Sequence, residues 1–343
     1  MNPFIIGFGL ILIAAAANGF FPLPLRLRRR YEVENTMMLA MGIATVLLPI
    51  VVIHFVFPSW LSALSQTGWN NVAIVAALGL AWGLGSATYG FGIAWLGLSL
   101  GFAIIMGIIT AVGSTMPLLR RWGSIPWNAK LIILLGIAIC VLGVGICGKA
   151  GVLRDRADDT ASGAKRESKF LGGLVLCVVS GLLSAGFNLA FDYSEPIGIQ
   201  AAQMGISPLF ATLPRWLPIF WGGYAAIFVS MAVKMVKDGT YQRFWGPGAS
   251  RDFALASGMG ILHFVIVTVY GMATVYLGER LGTSVGYAIF VSSAILLANA
   301  LGFVTGEWRS APRSAIKTLY AGLGILTLAI VVLSAASTLV HGG

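Results

Sequence analysis

Charge is what this sequence has least of. Only 10% of its 343 residues are Asp, Glu, Lys or Arg, against about a quarter in an ordinary soluble domain. That shortage excludes a soluble enzyme and a disordered, solvated chain. Histidine is scarcer still, with His54, His263 and His341 alone. None lies near a carboxylate in sequence, so the His/Asp/Glu cluster that a membrane-bound enzyme would need is missing. The three cysteines, Cys140, Cys147 and Cys177, form neither CxxC nor a metal-ligand spacing. A disulfide scaffold and a zinc site are therefore excluded, and the cysteines read as small core residues. No Walker motif is present, which rules out ATP-driven transport by this chain itself. No cofactor or metal is expected.

What remains is apolar. Hydrophobic residues make up 58% of the chain, and mean hydropathy is +0.89. A membrane helix needs about 20 apolar residues. Ten uninterrupted runs fit that length, at about 3–25, 36–57, 71–94, 99–119, 131–148, 170–191, 208–233, 254–277, 281–303 and 318–340. The fold class expected is an all-α integral membrane protein with ten transmembrane helices and no sizeable soluble domain. The first run lacks a basic segment before it and is followed by one, so it reads as a retained helix and not a signal peptide.

Net charge is +10. In this setting the cations set orientation and do not mark nucleic acid, which is not expected as a partner. Loops on one side hold 17 Lys and Arg, and loops on the other hold four; Arg215 falls inside the seventh run. The positive-inside rule then puts the cation-rich loops in the cytoplasm and both termini, Asn2 and Gly343, outside.

The chain also echoes itself. Tyr89-Gly90, Trp95-Leu96-Gly97 and Gly101 are matched by Tyr270-Gly271, Tyr276-Leu277-Gly278 and Gly282 at a constant offset of 181. Weaker echoes pair Leu48-Pro49-Ile50 with Leu217-Pro218-Ile219 and Gly19-Phe20 with Gly186-Phe187. Five helices per copy is an odd number, so the second copy would enter the membrane inverted. The expected organisation is a first five-helix repeat over 1–148, a cytoplasmic linker over 149–169 and a second repeat over 170–343. Such inverted repeats hold substrate near the midplane and alternate its access by rocking.

Polar groups inside the runs are few, and each is a candidate. His263 lies mid-helix, with Trp82 as its repeat equivalent. Trp82, Tyr89 and Tyr270 offer aromatic faces with polar edges, suited to the C–H faces and hydroxyls of a sugar, and Gly83, Gly85 and Ser86 leave room beside them. Asn18 and Asn188 want partners in hydrocarbon and serve equally as interhelical glue or substrate contacts. Every acidic residue is expected in a loop or at a helix end, with Asp192, Glu195 and Arg215 near the outer ends of helices 6 and 7. Any coupled proton must then use His263, whose ordinary pKa of about 6.5 suits it, or the Asp192/Glu195 pair. Pro49, Pro117, Pro214 and Pro218 are expected to kink or end their helices.

These residues carry a resemblance. Trp82-Gly83-Leu84-Gly85 with Tyr89-Gly90, Leu96-Gly97-Leu98-Ser99-Leu100-Gly101, Leu142-Gly143-Val144-Gly145-Ile146 before Lys149-Ala150-Gly151, and Ser180-Gly181 with Ser184-Ala185-Gly186 all contribute. So do Pro208-Leu209 with Pro214, Gly222-Gly223, and Gly306-Glu307-Trp308. Together the chain resembles the bacterial L-rhamnose–proton symporter family of the drug/metabolite transporter superfamily. The resemblance implies uptake of a deoxyhexose with a proton across the bacterial inner membrane. It departs from that pattern after helix 6, where Asp192-Tyr193-Ser194-Glu195 is acidic. An exporter of the same superfamily and an uncoupled sugar carrier remain open alternatives.

Overall fold

The computed structural model describes residues 3–21, 23–96, 98–158, 167–278 and 281–341. The interior of the expected linker, Gly97 of the echo, Arg280 and the terminal Asn2 and Gly343 lie outside them. All described regular structure is helical, and ten spans are long and apolar enough to cross a bilayer. They are α1 (Pro3–Leu25), α2 (Val33–Val56), α3 (Trp69–Ile93), α4 (Leu100–Arg120) and α5 (Trp127–Asp155), then α6 (Leu171–Gln203), α7 (Phe210–Asp238), α8 (Ala249–Leu277), α9 (Val285–Val304) and α10 (Arg313–Ala336).

Two spans overrun their expected ends by the most. The helix of α5 continues through Asp158, so the first part of the expected linker is helical. The larger difference is α6, expected to stop at 191. Its helix breaks around Ser194 and restarts at Glu195, with Pro196 in the first turn, where a missing N–H costs nothing. Asp192 and Glu195 are therefore inside a membrane-long segment, and Asp192 is fully buried. Asp252 and Glu34 are likewise buried within spans. Glu34 and Asp252 sit in the first turns of their helices, as expected of carboxylates at helix ends. The expectation fails on Asp192 and Glu195, where proline and paired cations let polar groups enter a long apolar segment.

A prolyl ring cannot donate to the carbonyl four residues back and clashes with it. In α2 the carbonyl facing Pro49 is that of Thr45, and the helix widens there into a π-turn over Ile43–Leu47. Pro117 stays within a continuous helix and leaves the Gly113 carbonyl free.

Packing has a pattern. α3 lies against α6 and α7, and α8 lies against α1 and α2. α4 packs on α5 and α6, while α9 packs on α10 and α1; α5 and α10 share the longest seam. Gly83 and Gly85 do not leave volume beside the aromatics, as the sequence suggested. Gly83 abuts the Gly223 carbonyl of α7 and Gly85 abuts Ser184 of α6, so both are crossing points of closely packed helices. Cys140 and Cys177 are buried, Cys147 is half-buried, and all three are free.

The cation-rich end is tied shut. Asp252, in the first turn of α8, accepts backbone N–H bonds from Arg29, Arg30 and Tyr31 at 3.0, 2.6 and 2.8 Å. Burial, and then the Asp252 charge, raise the Tyr31 phenol above its ordinary pKa, so it stays neutral. Glu34 accepts from the Thr240 hydroxyl at 2.8 Å, and Asn35 donates to the Thr240 carbonyl at 3.0 Å. These bonds join the start of α2, the end of α7 and the start of α8.

Candidate substrate cavity and its ion cluster

A cavity of about 560 Å³ opens at the opposite, cation-poor end. It lies among the end of α4, the second half of α6, the start of α7 and the α8–α9 junction. Arg121, Glu195, Gln203, Thr212, Arg215, Thr274 and Thr283 supply its polar lining. Its volume is within the range of small-molecule sites.

Beside the cavity five charges meet. Arg120 reaches Asp192 at 2.7 Å, and Arg121 bonds both Asp192 and Glu195, the latter at 2.6 Å. Thr283 donates its hydroxyl to Asp192 at 2.6 Å. Arg215, placed by the sequence near these carboxylates at the outer ends of helices 6 and 7, makes no salt bridge to them. Instead it donates to the Ser194 hydroxyl at 3.2 Å and the Phe191 carbonyl at 2.7 Å, with its guanidinium 3.9 Å from the centre of the Phe191 ring.

Proline creates two of the acceptors here. Pro196 frees the Asp192 carbonyl, which takes a second bond from Arg120 at 2.8 Å. Pro117 frees the Gly113 carbonyl, which takes the Asn188 side chain at 2.7 Å. Asn188 also donates to the Thr283 carbonyl at 2.7 Å and accepts from the Tyr270 hydroxyl at 2.8 Å. A continuous polar string thus runs from Arg121 through Asp192, Thr283 and Asn188 to Tyr270. Every group in it is buried except Arg121, which reaches the cavity.

Below the string lies an aromatic column. His263 stacks parallel to Trp82 with ring centres 6.3 Å apart, and Phe21 meets His263 at 5.3 Å. Trp82 continues to Phe187 at 4.9 Å, Phe187 to Trp216 at 5.3 Å, and Trp216 to Phe191 at 4.2 Å. The His263 Nε2 and Trp216 Nε1 atoms are buried in this column without a protein hydrogen-bond partner. Buried polar atoms left so are rare.

Of the residues singled out from sequence, Trp82 and His263 meet, and Asn188, Tyr270, Asp192 and Glu195 form one network with the cavity. Asn18 sits one turn before Phe21 on α1, half-buried. Tyr89 packs against the same hydrophobic cluster as Trp82 and Tyr270, near Cys177. The cavity is not lined by Trp82 or His263, so it is not the single midplane pocket expected. Sequence reading passed over Arg120 and Arg121, counted only as loop cations, and over Thr283 and Trp216. The prolines at 117 and 196 were the available signal, since each frees a carbonyl at a known distance along the chain. Among the described residues no cluster of three or more His, Cys, Asp or Glu could hold a metal.

Residues 1–339 match the L-rhamnose-proton symport protein (RhaT) family. The L-rhamnose-proton symporter of Escherichia coli O1:K1 / APEC is 29% identical over 336 residues, covering 93% of this chain and 94% of the relative. Symporters of the same name from Shigella boydii serotype 18 and Escherichia coli strain SMS-3-5 are each 28% identical with the same coverage. Ten membrane-long helices, a cavity at one end and a match along nearly the whole sequence agree: the chain belongs to the L-rhamnose-proton symport protein (RhaT) family.

Proposed function

We propose that this protein carries a monosaccharide together with a proton across a bacterial inner membrane by alternating access. The observation that carries this reading is the inequality of the two ends. One end holds a cavity of small-molecule size, and the other is clasped by Asp252, Glu34 and Asn35. A carrier caught in one of its two states has this form. The named relatives are symporters, not enzymes. The cation count supports a cytoplasmic clasp, an outward-facing cavity and both termini outside.

The two halves, 1–148 and 170–343 on either side of the 149–169 linker, are inverted repeats of the kind seen in the drug/metabolite transporter superfamily. Three observations support this. Exchanging helices 1–5 with 6–10 maps the packing pairs onto themselves. A Cβ on Gly101 would meet Ile93 at 3.1 Å, and one on Gly282 would meet Thr274 at 2.9 Å, the same contact shifted by 181 residues. The same shift makes His263 the counterpart of Trp82, and these two stack on each other. Residues related by a two-fold axis touch only beside that axis. The Leu-Pro-Ile echo lends no support, since Pro49 lies late in α2 and Pro218 early in α7.

In this reading a sugar enters past Thr212, Thr274 and Thr283 and reaches Asn188 and Tyr270. The column with Trp82 and His263 receives its C–H faces. When the cavity opens inward, Tyr89, the counterpart of Tyr270, and Asn18 serve on the other side. The proton goes to Asp192 ahead of His263, with Glu195 beside it. Asp192 is held by Arg120, Arg121 and Thr283, so protonation and release of those partners are one event. Among the described residues no carboxylate bonds to His263 to make its charge a switch.

The test is uptake into proteoliposomes of labelled monosaccharides, neutral and acidic, under an imposed pH gradient. Accumulation should collapse with a protonophore. Asp192→Asn should exchange sugar across the membrane without accumulating it. Accumulation indifferent to the protonophore would refute the coupling.

A further inference from the structure

We infer that the monosaccharide taken by this cavity carries a carboxylate, as a uronic or aldonic acid does, and that Arg215 binds it. The inference rests on the carrier reading above and names the substrate class within it.

The charges beside the cavity do not balance. Arg120, Arg121 and Arg215 stand against Asp192 and Glu195, leaving one positive charge. Arg120 and Arg121 take both carboxylates. Arg215 has no carboxylate oxygen within 4 Å among the described residues. Its fixed partners, the Ser194 hydroxyl and the Phe191 carbonyl, are neutral and orient it without cancelling its charge. Glu279 and Arg280, next to the cavity-lining Gly278, lie outside the described residues, and their formal charges cancel each other.

The guanidinium is built into the cavity wall. Its stem crosses Gly198, where a Cβ would come within 2.9 Å of Cδ, so the glycine is what lets it pass. Phe191 lies flat beneath it. Of five N–H donors, two are engaged, leaving three. A cation inside a span with no carboxylate at ion-pair distance is costly unless it has a task. A neutral deoxyhexose offers hydroxyls only and leaves the charge standing. A monocarboxylate cancels it and matches the planar donor fork. A phosphate dianion would overshoot to a net negative site. Thr212, Thr274, Thr283 and Gln203 remain to meet sugar hydroxyls. Carrying one such anion with one proton moves no net charge, so transport would not respond to membrane potential, whereas a neutral sugar with a proton would.

The experiment uses purified full-length protein and thermal unfolding. The probes are D-galacturonate, D-glucuronate and D-gluconate, each against D-galactose, D-glucose and L-rhamnose at equal concentration. A ligand of the native state raises the unfolding temperature by mass action. We expect at least one acid to stabilise while its neutral counterpart does not. Arg215→Gln should weaken that acid at least tenfold, and Arg215→Lys, which keeps the charge but not the fork, should fall between. If Arg215→Gln does not fold, the wild-type panel and Arg215→Lys decide. Stabilisation by a neutral sugar equal to or above that of every acid overturns the inference and leaves the carrier reading standing. Acid binding unchanged in Arg215→Gln, or in Arg215→Lys where the glutamine variant does not fold, overturns it too. Stabilisation by no member of either set counts against both.

Discussion

Both ends of the bundle bury a carboxylate, and they hold it by different means. Asp192 is gripped by the long side chains of Arg120 and Arg121. Asp252 is gripped by three consecutive backbone N–H groups of a loop. A side-chain grip opens by rotation about single bonds and leaves the backbone in place. A backbone grip by three adjacent N–H groups is lost all at once, when the loop departs or the Asp252 side chain swings away. The cation-poor end can thus exchange partners one at a time, whereas the cation-rich end must part as a unit. The arginines come from the first half of the chain and Asp192 from the second, so the grip also crosses between the halves.

The largest effect is expected from Asp192→Ala. Removing one partner of a buried ion pair strands the other and costs about 3–5 kcal/mol. Because Arg120 is one-third exposed, we expect the lower end, about 3 kcal/mol, read as a fall in unfolding temperature with loss of transport. A neutral result would show that the arginines find water instead. Asp252→Ala should cost somewhat less, about 2 kcal/mol, by stranding backbone donors. Its sharper signature is access: a cysteine at Thr36 should label faster from the side of the cation-rich end. Unchanged labelling would mean the clasp is held by Glu34, Asn35 and Thr240 alone. The smallest effect is expected from Pro117→Ala, which gives the Gly113 carbonyl a helical N–H in competition with Asn188. Stability should change by about 1 kcal/mol or less, while substrate affinity drops as Asn188 loses its anchor. Equal affinity would show that the Thr283 carbonyl suffices.

This contrast also explains what the sequence made legible. Length and apolarity mark ten spans because each must cross the same thickness of hydrocarbon. The end of α6 was not legible, because Tyr193-Ser194-Glu195-Pro196 has the composition of a stop. Only the arginines of another helix make burial of Asp192 tolerable, and no local pattern announces them. Asn188, Tyr270 and His263 stood out as polar groups in apolar runs. Trp216 did not, since tryptophan is at home in such a run and its unpartnered N–H appears only once its neighbours are known. Arg215 was visible as the lone cation inside a span, but its neutral partners were not.

The π-turn at Ile43–Leu47 has a bearing on how any variant of α2 is designed. A π-turn amounts to one extra residue taken into a helix without breaking it. Each α-helical residue advances the side-chain direction by about 100°. A helical wheel drawn from Val33 is therefore sound as far as Gly42 and wrong by about that angle from Leu48 onward. Ile53, which is buried, and His54, which is exposed, can be assigned to the correct faces only by restarting the count after the turn. A deletion of one residue within 43–47 would be absorbed as an ordinary α-turn. The same deletion two turns earlier would rotate Glu34 and Asn35 relative to the rest of the helix.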